Sequence, residues 1–253
     1  MDIVIIGTGN VATVLGHAMR QAGHSIVQVY GRNAEKAESL ALQLQSKATT
    51  QLEEISLHAG LYMIAVADKA ISEIANQLRL KDAMVVHTAG SVPLHLLQTI
   101  SANHGVLYPL QSLRAPHLPT APVPLMVHAN STENLEMLLR FAKTISPIVQ
   151  PCNDDNRLHL HLAAVLVNNF TNHLYKLAWD YCQQQGLDFQ LLLPIIQETA
   201  QRVSAYPPAE VQTGPANRKD VSTMDRHLAM LQDNPDLKAM YQMMSSSIMD
   251  SKN

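Results

Sequence analysis

Cysteine is scarce in this chain: two residues, Cys152 and Cys182, in 253 positions, with no C-x-x-C spacing. That excludes a disulfide framework and points to a reducing compartment. Charged residues are also few, 15% of the chain, and the formal net charge is −3. Such a composition implies much buried or mutually covered surface, and it gives no electrostatic footing for nucleic acid or an anionic membrane. Long apolar runs are missing; a stretch such as Leu61–Ala67 is far too short to span a bilayer. Neither a G-x-S-x-G elbow nor an H-E-x-x-H pair occurs. His159 and His161 alternate onto different helix faces with no carboxylate at ligand spacing, so no metal site is expected. There is no internal repeat. The first residues already read as strand, which leaves no cleavable signal ahead of the fold, and the expected location is the cytoplasm.

What the chain does have is 47% hydrophobic residues and length for one large domain or two ordinary ones. Its opening is the most informative stretch. Asp2–Ile6 is a short apolar run that reads as a buried strand, stopped by Gly7. Gly7, Gly9 and Ala12 follow in G-x-G-x-x-A spacing, at the start of a helical pattern over Thr8–Ala22. Gly7 suits a sharp turn, Gly9 lets a pyrophosphate approach the backbone, and Ala12 keeps the helix close to the strand. Phosphates would face the free N–H groups and the positive dipole end of that helix. A lone glycine motif is weak, but this one lies between a strand and a helix and leads into a second strand, Ser25–Tyr30.

An acidic residue near the end of the second strand marks NAD-binding versions of this motif. Here the place holds Gly31, Arg32 and Asn33, with Lys36 one turn on. An arginine fork matches a 2′-phosphate, so the expected cofactor is NADP rather than NAD. Strands at 61–66, 83–87 and 105–108 alternate with helices at 70–78 and 94–102, which predicts a parallel, doubly wound sheet. Ligands in such sheets lie outside the carboxyl ends of the strands. Val66–Asp68, Thr88–Ser91 and Pro109–Gln111 therefore share a rim with Gly7–Val11. The Pro-rich stretch 115–124 reads as an ordered surface loop, followed by a strand, a helix and a last strand at 148–150.

A composition shift at 151–155 divides the chain into an α/β half, 1–152, and an all-α half, 153–253. Helices are expected over 157–185, capped by Gly186; over 189–203, with Pro194 in or near its first turn; over 222–231, capped by Ser222 or Thr223; and over 236–248. On the first of these, His161, Asn168, Asn172 and Tyr175 fall in one sector at 100° per residue, with Asn169 beside it. Such a stripe either positions a small polar ligand or hydrogen-bonds another helix.

Five segments in order, I-I-G-T-G-N-V-A at the start, H-T-A-G-S at 87–91, Y-P-L-Q-S at 108–112, L-H-L-A-A-V-L-V-N-N-F at 160–170 and T-G-P-A-N-R-K-D at 213–220, resemble a Rossmann-like oxidoreductase family with a helical C-terminal domain of unknown function. That family is related to pyrroline-5-carboxylate reductase, ketopantoate reductase and the deazaflavin-dependent NADP reductases. The resemblance implies a homodimer formed through the helical half and an active-site cleft between the domains. It places Gly7, Gly9, Asn10 and Val11 at the pyrophosphate turn, where Thr8 is a further cofactor-binding candidate, Arg32 and Asn33 at the 2′-phosphate, Val66 and Ala67 at the wall near the nicotinamide ribose, and Thr88, Gly90 and Ser91 on the loop facing the cleft. His161 and Asn169 would line the substrate side, and Gly214, Pro215 and Arg218 the late loop. The family pattern departs at Tyr108, where His is expected before the proline, and at Lys219, where Gly is expected before Asp220. The first departure weakens a proton relay at that strand end; the second alters the late loop. The catalytic lysine of some β-hydroxyacid dehydrogenase relatives is also missing from this helix, and His161 lies nearest its place.

The expected function is hydride transfer between NADP and a small carbonyl or imine. His161 is the candidate proton donor, Asn168 or Asn169 orients the substrate, Ser91 is a further catalytic candidate, and Gln111, Asn172 and Arg218 are candidate substrate contacts. The alternatives are a sensor that binds NADP(H) without turnover and an interaction module in which the helical half only dimerises.

Overall fold

The computed structural model describes residues 1–115, 119 and 121–251 of the chain. Of the Pro-rich stretch, residues 116–118 and 120 lie outside the described residues, so its reading as an ordered loop is not addressed over those positions. The chain divides into two compact units, 1–169 and 170–253.

The first unit is built on strands Asp2–Ile6 (β1), Ser25–Tyr30 (β2), Lys47–Thr49 (β3), Leu61–Ile64 (β4), Met84–His87 (β5), His104–Pro109 (β6), Leu125–Ala129 (β7) and Val149–Pro151 (β8). Between them run helices Asn10–Gln21 (α1), Ala34–Gln43 (α2), Asp68–Gln77 (α3) and Thr132–Ile145 (α4). The sheet order is β3-β2-β1-β4-β5-β6-β7-β8. The part 3-2-1-4-5-6 is the order of a doubly wound dinucleotide-binding sheet, with its switch point between β1 and β4.

Pleating explains the two-sided core. Ile3 and Ile5 of β1 pack in one layer with Leu15, Leu40 and Phe141, while Val4 and Ile6 pack in the other with Ile71, Ile74 and Leu97. Leu61 and Met63 of β4 join the first layer, and Tyr62 and Ile64 the second. Successive side chains of a strand point to opposite faces, so a strand covered on both faces must be apolar throughout.

Three departures from the sequence reading have physical causes. β3 carries no apolar signal because it is a short edge strand with Lys47 and Ala48 exposed. The helix expected over 94–102 is only a 3-10 turn at Leu94–Leu97. The residues after it pair backwards instead: Leu80 N–H donates to Ile100 O, and Ala102 N–H to Lys81 O. Lastly, β7 runs antiparallel to β6, with Pro109 opposite Leu125 and Leu110 N–H donating to Pro124 O. The segment joining them thus starts and ends at the rim that carries the glycine turn, where Ala115 N–H donates to Asn10 Oδ1.

Helix Asp154–Ala164 (α5) follows the sheet but belongs to the first unit, so compactness draws the division at 169/170, later than the composition shift at 152/153. Its anchor is Arg157, whose side chain is 1% exposed. Nε donates to Gly90 O at 3.3 Å and Nη1 to Asp154 Oδ1 at 2.8 Å, and Nη2 donates to Val92 O. Asp154 Oδ2 accepts from Leu94 N–H, and Oδ1 also lies 3.1 Å from His128 Nδ1.

The helix does not continue as one α-helix to residue 185. Val165–Phe170 is π-helical, and Thr171–Gln184 (α6) resumes α geometry in the second unit. The wider turn shifts the angular count, so positions beyond Ala164 no longer follow strict α spacing. In the second unit Gly186, at φ +67°, closes α6 in a Schellman motif: Gly186 N–H donates to Gln183 O and Leu187 N–H to Cys182 O. Leu193–Ala205 (α7) has Pro194 in its first turn. Val221–Met230 (α8) is capped by Asp220, whose Oδ1 accepts from Thr223 N–H, in place of the expected Ser222 or Thr223. Pro235–Asp250 (α9) completes the unit.

Lys219, where the family pattern has glycine, sits at φ +55°. The turn keeps its left-handed backbone and carries the side-chain strain. Replacement Lys219→Gly is expected to stabilise the protein by about 1 kcal/mol, read as a higher urea midpoint. Arg157→Ala, which strips Asp154 of its buried partner, is expected to lower the unfolding free energy by about 3 kcal/mol in the same measurement.

Candidate functional site

A cavity of about 920 Å³ lies at the carboxyl ends of β1, β2, β4 and β5. Gly7, Thr8, Gly9, Asn10, Val11, Arg32, Asn33, Val66, Ala67, Thr88 and Gly90 all line it. Gly7 has φ +129°, and a Cβ there would stand 2.1 Å from Ala65 O, so only glycine lets β1 and β4 meet at this turn. At Gly9 a Cβ would meet nothing within 4 Å: the space beside it opens into the cavity. The first N–H groups of α1 have no intrahelical carbonyl to bond, and they sit where Gly9–Val11 line the wall. Arg32 and Lys36 bring two cations to the far end, where Arg32 is exposed and 4.0 Å from Glu73. Asn33 is partly committed, since its Oδ1 caps α2 by accepting from Lys36 N–H at 2.8 Å. Free amides at a helix N-terminus, open space over Gly9 and a cationic end together fit a phosphorylated dinucleotide.

A second cavity, of about 500 Å³, is lined by Tyr108, Gln111, Ser112, His161, Asn168 and Asn169 among apolar neighbours such as Leu110 and Val167. The π turn brings Asn168 and Asn169 into the same cavity as His161; at α spacing Asn169 would lie off that face. Tyr108 Oη is 3.0 Å from His161 Nδ1, with the rings edge to face at 6.0 Å. Burial pushes the Tyr108 phenol above its usual pKa, against the opposing pull of Arg157.

Gly90 stands between the larger cavity and the Tyr108–His161 pair. It lines that cavity, and a Cβ on it would lie 2.8 Å from His161 Nδ1 and 3.1 Å from Tyr108 Cε2. Arg157 holds this loop by the Gly90 and Val92 carbonyls. Beneath it lies His87, fully buried at the end of β5, whose Nδ1 accepts from Ala89 N–H. Burial, then the Arg157 guanidinium, lowers its pKa to about 4, against Asp154 and Asp68. At Asp154, burial alone would raise the carboxyl, but the Leu94 N–H and the Arg157 and His128 side chains outweigh it and hold the pKa below the usual range.

Other expected site residues fall elsewhere. Ser91 is exposed and donates to Asp68 Oδ2 at 2.5 Å; it lines neither cavity. Asn172 and Arg218 are exposed residues of the second unit. Sequence reasoning missed Tyr108 as a partner of His161, and it missed Arg157, Asp154 and His87 altogether. Tyr108 stood out only as a departure from a family pattern. An arginine at a helix start gives no hint that it is buried.

The profile of the family described as NADP oxidoreductase, coenzyme F420-dependent, matches residues 2–90. That of a domain of unknown function (DUF2520) matches residues 123–248. An inferred NADP oxidoreductase from Bacteroides fragilis has 38% identity, with 98% of each chain covered and a TM-score of 0.92. The chain belongs to this NADP oxidoreductase family. More distant structures share the fold. A reductive aminase from Aspergillus terreus, solved with NADPH and ethyl-5-oxohexanoate, has 15% identity and a TM-score of 0.69, over 100% of this chain and 99% of that one. A 1-pyrroline-5-carboxylate reductase from Streptococcus pyogenes has 14% identity and a TM-score of 0.66, over 99% and 97%. No curated protein matches by sequence. The family assignment bears out the Rossmann half followed by a helical domain. No helix among the described residues is long and apolar enough to cross a membrane.

The His87 shift gives the oxidoreductase a defined acid sensitivity. Its folded pKa of about 4 lies below the ordinary 6.5. As pH falls, the unfolded chain therefore takes the proton first. The contribution of His87 is complete above about pH 6.5 and is lost on descent through about 4, by up to ~3 kcal/mol. Replacement by Asn, whose Oδ1 can still accept from Ala89 N–H, is expected to flatten the fall in urea midpoint between pH 7 and pH 4.5.

Proposed function

We propose that the protein is an NADPH-dependent reductase of a small carbonyl or imine held in the 500 Å³ cavity. The observation that carries this reading is Gly90: it lines the cavity that fits the dinucleotide, and for want of a side chain it lies directly against the Tyr108–His161 pair of the other cavity. Gly7–Val11 would hold the pyrophosphate, Arg32 and Lys36 the 2′-phosphate, and Val66, Ala67, Thr88 and Gly90 the nicotinamide side. When bound, the nicotinamide supplies the hydride. His161 hydrogen-bonds the substrate heteroatom and gives it a proton, while Asn168, Asn169 and Gln111 orient it through neutral amides.

The NADP preference rests on Arg32 and Lys36 standing where an acid would otherwise meet the ribose. The helical unit leaves Trp179 at 45%, Leu191 at 78% and Ile195 at 64% exposure, a surface suited to a second copy of the chain. Two unpaired cysteines agree with a cytoplasmic location.

NADPH fluorescence titration tests the reading directly. Gly9→Val places its side chain in open space, so the fold is expected to survive while NADPH affinity falls at least ~10-fold. Arg32→Ala is expected to weaken NADPH by about 10- to 100-fold and NADH hardly at all, the size of a charged hydrogen-bonded pair. Wild-type protein that fails to bind either nucleotide overturns the proposal. With binding established, NADPH consumption across small ketones, oxo-acids and cyclic imines is expected to identify the substrate class, and His161→Ala to lower turnover at least ~100-fold.

A further inference from the structure

Which atom carries the hydrogen between Tyr108 and His161 decides what His161 can offer the cavity. Tyr108 is 8% exposed, and among the described residues its hydroxyl bonds only His161 Nδ1. With the hydrogen on Nδ1, the phenol would accept it, and its own O–H would have no protein acceptor among the described residues, only water in the cavity that Tyr108 lines. With the phenol donating to a bare Nδ1, the O–H has its acceptor within the protein and the imidazole hydrogen sits on Nε2, facing the cavity. Burial keeps the phenol protonated and so able to donate.

We infer that Tyr108 is a positioning residue: it fixes His161 in the Nε2–H tautomer and refills Nδ1 when His161 gives its Nε2 proton to a ligand in the cavity. The step moves protons only. The Nε2–H bond breaks as the ligand heteroatom gains a proton, and the Tyr108 O–H bond breaks as Nδ1–H forms; water in the cavity then reprotonates Nε2, hydroxide leaves to solvent, and Nδ1–H returns its proton to the phenolate. Neutral His161 thereby serves as a donor without first becoming imidazolium. The buried Arg157 guanidinium favours the transient phenolate, with Asp68 opposing. Gly90 makes the arrangement possible, because a Cβ there would crowd both rings. The inference rests on His161 being the proton donor of the proposed reaction.

The test uses the full-length protein without nucleotide, so it stands apart from whether NADPH binds. Two-bond 1H–15N spectra of histidine-labelled protein at pH 7.5, with His161→Gln to assign the resonance, report the tautomer. The expected result is Nε2 protonated and Nδ1 unprotonated in the wild type. In Tyr108→Phe, which keeps the ring and removes only the oxygen, the two nitrogen signals are expected to move towards the averaged positions of mixed tautomers. Gly90→Ala, which wedges the pair apart, is expected to do the same. An Nδ1–H tautomer in the wild type overturns the inference, as does a His161 spectrum that neither substitution changes. If Tyr108→Phe fails to fold, the wild-type tautomer and the Gly90→Ala spectrum still decide.

Discussion

The guanidinium of Arg157 reaches from α5 into the loop after β5 and holds the carbonyls of Gly90 and Val92 while paired with Asp154. A buried cation of this kind is stable only when its donors are met and its charge is answered; here Asp154 on α5 answers the charge, and the loop after β5 supplies the remaining acceptors. Asp154 extends the clamp to Leu94 N–H and to His128 on β7. One ion pair therefore sets the position of Gly90, and Gly90 in turn sets how closely the Tyr108–His161 pair approaches the dinucleotide cavity. It also explains why α5 belongs with the sheet rather than with the helices that follow it.

The π turn at Val165–Phe170 is the second constraint. An inserted residue costs helix regularity, and such turns recur where side chains must be aimed at a ligand. Here it brings Asn168 and Asn169 together with His161. The cavity they form offers amides, hydroxyls and one imidazole, a set that orients a heteroatom and handles a proton.

Most of the sheet was legible from the chain because its signals are local. Apolar strands such as Val85–His87 and Leu61–Ile64 must be buried on both faces, and the Gly7–Gly9 turn has to follow the first of them. The larger cavity was legible for the same reason: its residues stand at the carboxyl ends of neighbouring strands, a place that topology assigns once the strands are found. The second cavity was only half legible. His161 and Asn168 share a face at helical spacing, while Asn169, beside that face, lines the cavity with them in a π-helical stretch that no local pattern announces. Ser91, placed on the rim by its position after β5, is exposed and bonds Asp68, which lines the larger cavity.

The sequence by itself determined the parallel-dominated sheet, the glycine turn with its helix, and the helical second half, because periodicity and turn chemistry act over a few residues. Tertiary structure alone decided that Arg157 is buried, that 94–102 gives up its helix to pair with Leu80 and Lys81, and that Tyr108 meets His161 across 53 positions of chain. Contacts of that range depend on how the strands and helices pack, and no local pattern in the chain encodes which partner a buried polar side chain will find.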